Sequence, residues 1–182
     1  GWPYHTILSY LVKNPKVAAD VFAKEIVARY LQSYVGTKET VTQSAFNADH
    51  IDQVKDAVDN LAVYLTAKLD DAEYRNGIAT AWRRAIRFFD DNYIDLKTFV
   101  NALKTACPKS AELNALNKAL LGSLKAGKGN PVIAASFQGS SMKRTGGMSI
   151  YFPTDRINSA YKYLDFNRNK GSWLAFLKKY LS

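Results

Sequence analysis

The side chains through which this chain could break bonds are few. Cys107 is the only cysteine, and His5 and His50 are the only imidazoles. Nucleophilic catalysis by a thiol needs a thiolate, a base beside it and donors for the oxyanion. Cys107 falls four residues after Leu103, at the end of a predicted helix. There the helix dipole is negative and keeps a thiol protonated. It reads as a buried structural cysteine. His5 follows Gly1-Trp2-Pro3-Tyr4 and His50 opens a helical segment; neither receives a catalytic role, and no catalytic residue is assigned in this chain.

Metal chemistry has little support. Asp165, Asn167 and Asn169 occupy the first, third and fifth positions of an EF-hand-like loop. Its sixth residue is Lys170 where glycine is required, Gly171 comes one late, and the twelfth is Phe176 rather than Glu. A turn followed by a helix cap accounts for it better. Asp90-Asp91-Asn92 with Asp95 is acidic enough for calcium, but an exposed loop and a helix cap explain it too. No Cys/His cluster has zinc spacing, so no metal ligand is assigned. Ser140-Ser141-Met142-Lys143 matches a Ser-x-x-Lys nucleophile motif, yet it lies in a glycine-flanked loop and no Ser-Asp-Asn accompanies it. Phosphate-binding glycine loops are absent.

Charge is uneven along the chain. Residues 1–95 hold 11 Lys and Arg against 13 Asp and Glu, whereas residues 96–182 hold 14 against 3. The basic half could attract nucleic acid or an anionic membrane surface, or serve as a solvated surface. Consecutive basic residues never exceed two, so a polybasic tail is excluded, and no nucleic-acid partner is assigned. No apolar run nears the roughly 18 residues of a membrane span. The lone cysteine excludes an intramolecular disulfide and leaves the compartment open. A start on Gly-Trp-Pro, with neither Met nor signal peptide, reads as a fragment or a processed chain.

The elements that must position these residues are mostly helical. A short helix is expected near residues 6–12, then a break at Asn14-Pro15, with Pro15 starting a second helix and Gly36 ending it. Thr40-Val41-Thr42 is β-prone, and Asn47 or Asp49 offers an N-cap. Ile51, Val54, Val58, Leu61, Leu65 and Leu69 share one helix face, with Asp52, Lys55, Asp56 and Asp59 opposite. A further helix is expected over 71–89, with Tyr74, Ile78, Ala81, Ala85 and Phe88 inward. Asp95 caps the next, which carries Leu96, Phe99, Val100 and Leu103, and another runs over 110–125. Residues 132–137 and 148–152 are β-type runs: a late hairpin with a long basic loop, or two strands of a larger sheet. The two glycines of Gly146-Gly147 allow a turn or a close approach. A last helix, capped by Ser172, turns Trp173, Phe176, Leu177 and Tyr180 to one side. The class is α+β, helix-rich, one domain over residues 1–182.

Several of these segments fall in a known order. Gly1-Trp2-Pro3-Tyr4, Asn14-Pro15, Thr42-x-Ser44-Ala45, Tyr93-Ile94-Asp95-Leu96 with Phe99, Gly147-Met148-Ser149-Ile150-Tyr151-Phe152-Pro153 and Trp173-x-x-Phe176-Leu177-x-x-Tyr180 follow one another. The set resembles the C-terminal part of the clostripain family of cysteine peptidases. That resemblance implies part of a caspase- and gingipain-like α/β sandwich, with a helical bundle and a late β-hairpin. It also implies a secreted or surface-displayed bacterial endopeptidase that cleaves after Arg or Lys and is activated by internal cleavage. Calcium is a possible cofactor of the family. Its Cys–His dyad would lie upstream of Gly1, in a segment that becomes this chain's partner, and protein or peptide substrates are implied. Trp2 and Tyr4 are the substrate-binding candidates, because the family's specificity pocket is built close to that motif; packing anchors are the alternative. Two rival classes are a non-catalytic binding or scaffold module and an anion-binding surface.

Overall fold

The structure is a computed structural model that describes residues 1–127, 129–168 and 171–182. Its main core is built from five helices: α3 (Ile51–Lys68), α4 (Ala72–Arg84), α5 (Leu96–Ala106), α6 (Ala111–Ser123) and α8 (Ser172–Tyr180). Their apolar stripes explain the packing. Val54, Val58, Leu61 and Leu65 of α3, Ile78 of α4, Phe99 and Leu103 of α5 and Trp173 and Phe176 of α8 are all buried together. Each such side chain contributes about 1.5–3 kcal/mol on burial. A smaller layer holds α1 (Tyr4–Lys13) and α2 (Ala19–Gln32), with α2 against a ribbon of β1 (Val41–Phe46) and β3 (Val132–Gln138). A short helix, α7 (Asp165–Arg168), precedes α8.

Two-stranded antiparallel sheets join distant parts of the chain. In the first, β1 pairs with β3, running from Val41 opposite Gln138 to Phe46 opposite Val132. In the second, β2 (Tyr93–Asp95) pairs with β4 (Ser149–Tyr151). The expected late hairpin is therefore corrected: β3 and β4 belong to different sheets. Each β-type run finds its partner upstream, and the loop between them crosses from one sheet to the other.

Asp95 fixes that crossing. Its carboxylate accepts from Thr98 N at 2.8 Å, capping α5 as the sequence suggested, and from Gly146 N at 2.7 Å. Its own amide donates to Ile86 O at 2.7 Å. Gly146 passes so close to α5 that an added Cβ would lie 2.6 Å from Lys97 Cβ. Gly147 has φ +85°, and a Cβ there would lie 2.5 Å from both Ala135 Cβ and Ser44 Oγ. The glycine pair thus threads the loop between α5 and the β1–β3 ribbon.

Further helix boundaries and faces differ from the local pattern. Helix α4 stops at Arg84, because residues 86–88 are drawn to β2, with an Arg87–Ile94 bridge and Phe88 N donating to Tyr93 O. Pro15 sits in the turn closed by Val17 N to Asn14 O, and α2 begins only at Ala19. Ile51 is exposed, and Asp59, expected on the polar face of α3, is buried. Asp59 pairs with Lys55 and accepts from Ser172 N at 3.1 Å, so a carboxylate of α3 caps α8. The cap position of α8 is Gly171, with Ser172 its first helical residue.

Two tests follow from the crossing. Gly147→Ala forces a left-handed backbone on a Cβ that has no room, and should cost roughly 2–4 kcal/mol in urea unfolding. Burial holds the Asp95 carboxyl above the ordinary carboxylate range, against the pull of its Gly146 and Thr98 partners and of Lys97. A carboxyl raised in the folded state contributes stability that is present below its unfolded pKa and lost as pH rises through the folded pKa. Asp95→Asn lacks that titration. The wild-type minus variant difference in Tm should therefore fall as pH rises from about 3 to 7; a flat or rising difference would refute the assignment.

Candidate functional site

Trp2 and Tyr4 enter the structure at the start of α1. Pro3 is buried, and its carbonyl accepts from Thr6 N at 3.1 Å and Thr6 Oγ1 at 3.0 Å, which fixes the first turn. Ile7 then packs inward. Arg29 of α2 ties the two helices: its guanidinium donates to Thr6 O at 3.3 Å, lies 4.9 Å over the Tyr10 ring, and pairs with Glu25 at 3.1 Å. Gln138 at the end of β3 donates to Tyr34 O at 2.7 Å and so holds the end of α2.

On this frame four aromatic rings form a ladder. Tyr4 stacks on Trp2 with centroids 6.2 Å apart, Trp2 meets Tyr30 at 5.4 Å, and Tyr30 meets Tyr34 at 5.1 Å. Trp2 is 45% and Tyr4 64% exposed. The strip therefore leaves aromatic surface open to solvent, of the kind that can stack against planar groups or take a guanidinium or ammonium over a ring. It has no nucleophile of its own. Tyr30 of α2 and Tyr34, in the turn that follows α2, were not singled out in the sequence, although their spacing of four was the available signal.

The remaining candidates lie apart. Cys107 ends α5 in the core, where an added Cβ at Gly77 would lie 2.8 Å from its Sγ. Burial pushes its thiol up to about 11. His5 is an exposed residue of α1, and His50 ends a short 3-10 turn before α3. In the acidic stretch, carboxylates serve as acceptors for nearby amides. Asp95 spends both carboxylate oxygens on amide donors, and Asp90 Oδ1 accepts from the backbone and side chain of Asn92, each at 2.9 Å. Asp165 pairs with Arg168 at 2.8 Å, while Asn169 and Lys170 of the EF-hand-like stretch lie outside the described residues. Among the described residues no group of three or more His, Cys, Asp or Glu could hold a metal ion. Ser140 opens a 3-10 turn between β3 and β4. No described helix is long and apolar enough to cross a membrane.

A family model described as the clostripain family matches residues 1–180. No curated protein and no solved structure matches the chain.

The environment of Cys107 predicts an inert thiol. In the folded protein at pH 8 its reaction with a disulfide reagent should run about 100-fold slower than that of a free cysteine. Full reactivity should return in denaturant. Rapid labelling of the folded protein would contradict this burial.

Proposed function

Since this chain belongs to the clostripain family, we propose that it is the C-terminal segment of a secreted bacterial cysteine endopeptidase that cleaves after Arg or Lys. The catalytic His and Cys are supplied by a segment upstream of Gly1, against which this chain packs. Family membership supports a peptidase-related function acting on protein substrates. The observation that carries the division of labour is Cys107: the chain's one thiol is buried in the core with its pKa pushed up to about 11. Such a thiol is protonated at neutral pH and is no nucleophile.

In this proposal the aromatic ladder forms a wall beside the specificity pocket. Trp2 and Tyr4 offer their faces to the substrate's basic side chain or to the residues flanking it, and Arg29 and Pro3 keep the rings in register. The ladder binds and orients; it moves no proton. Its exposure supports the role, since rings that only anchored the fold would be expected to bury more of their surface.

The test uses the full natural protein. Peptide mapping should find a His-Gly and an Asp-x-Cys upstream of Gly1. Peptides with Arg or Lys before the scissile bond should be cut, and those with neutral residues left intact. A thiol reagent should abolish cleavage in wild type and in Cys107→Ala alike. Trp2→Ala should raise KM by about 2–10-fold with kcat retained, the range expected for losing one aromatic contact. An upstream segment lacking the His and Cys would instead favour a scaffold module.

A further inference from the structure

The loop that crosses between the sheets carries a second feature. Arg144 is exposed and has φ +94°, the one positive value at a non-glycine among the described residues. The loop is held on both sides of it: Thr145 N and Oγ1 both donate to Met142 O, at 3.2 and 3.0 Å, and Gly146 N donates to Asp95. A glycine at this position would relieve the strain, yet the position holds a cation aimed at a cleft.

That cleft is lined by Arg84, Lys97, Asn101, Thr105 and Arg144, with a volume of about 600 Å³. A neighbouring cavity of about 620 Å³ shares Lys97 and Asn101 with it and adds Lys125. Together they form one groove along the outer face of α5. No carboxylate lines either cavity. Among the described residues no ion pair involves Arg84, Lys97, Lys125 or Arg144; Arg84 donates only to Thr105 Oγ1, at 3.4 Å. Asp95, two residues before Lys97, is buried and fully engaged. The far wall is aliphatic, from Leu121, Leu124, Val132 and Ala135.

From this groove we infer a binding site for an extended acidic peptide whose carboxylates alternate with apolar side chains. Four cations with no ion pair among the described residues call for an anionic ligand. The aliphatic wall calls for apolar side chains on the same ligand. No aromatic residue lines the groove, so the base-stacking platform that single-stranded nucleic acid uses is missing. Each cavity is within the roughly 300–1,000 Å³ that takes a compact ligand, and the two in series suit a strand-like segment. The site is separate from the aromatic ladder and stands whether or not the whole protein is a peptidase.

Fluorescence anisotropy on the folded protein tests this with an eight-residue peptide of alternating Glu and Leu. Saturable binding is expected at 50 mM salt, with clear weakening at 200 mM as the charges are screened. The matching Lys–Leu peptide should not bind. Arg144→Gly should bind at least about 10-fold more weakly while its Tm stays level or rises, since the strain is removed. Lys97→Gln should weaken binding as well. Absence of saturable binding at 50 mM salt, or wild-type affinity in Arg144→Gly, overturns the proposal. So does displacement of the peptide by pyrophosphate or single-stranded RNA at lower concentrations than by unlabelled peptide, which would mark a general anion site.

Discussion

A single buried carboxylate holds the two halves of this molecule in register. Asp95 ends β2, caps α5, receives the amide of Gly146 and reaches back to Ile86 through its own backbone. The stretch from Ile86 to α5 and the distant Gly146 thus meet at one residue with no exposed surface. Burying a carboxylate is costly unless its lone pairs are filled, and here fixed amides fill them. The second sheet, the glycine crossing and the groove on α5 all depend on that arrangement. Two indoles complete the frame on the core side: Trp173 Nε1 donates to Tyr151 O at 2.8 Å and Trp82 Nε1 to Phe152 O at 3.1 Å, fixing the exit from β4. Around that exit Phe99, Phe152, Trp173, Phe176 and Tyr180 pack largely edge to face, the arrangement aromatic quadrupoles favour.

What could be read from the sequence was local. The stripes of α3, α5 and α8, the Asp95 cap and the close approach of Gly146-Gly147 all follow from residue type and short spacing. What could not be read depends on partners far along the chain. Nothing near Ala85 announces that the following residues will leave the helix to meet β2. Asp59 looks solvated by its position on α3, and only α8, more than a hundred residues later, gives it a reason to be buried. The two late β-runs are adjacent in sequence, which suggested a hairpin; their true partners lie upstream. The candidate site divides the same way. Trp2 and Tyr4 were visible as aromatics in a motif, but the ladder also needs Tyr30 from α2 and Tyr34 from the turn after it. The groove was invisible because its cations come from four separate elements.

Burial sets the protonation of the titratable side chains in this chain's core. Its only thiol is pushed up to about 11, and burial pushes Tyr74 up to about 12, where its hydroxyl shares a 2.7 Å hydrogen bond with Tyr64, and raises Tyr161 and the half-buried Tyr180 as well. At the surface, the groove on α5 offers cations and the ladder offers partly exposed aromatic rings. Both suit recognition of extended chains, one through charge and one through stacking.

The ribbon of β1 and β3 has a kinetic consequence. Its strands bracket α3, α4, β2, α5 and α6, so the whole of that stretch must be threaded before the ladder can close. Pairings across such a span form late, because loop closure has to precede any gain from the contacts. Until then Phe46 and Phe137, still partly exposed in the finished ribbon, sit on unpaired strands. That interval is when the nascent protein is most prone to self-association, and a slow ribbon would make refolding yield depend steeply on protein concentration.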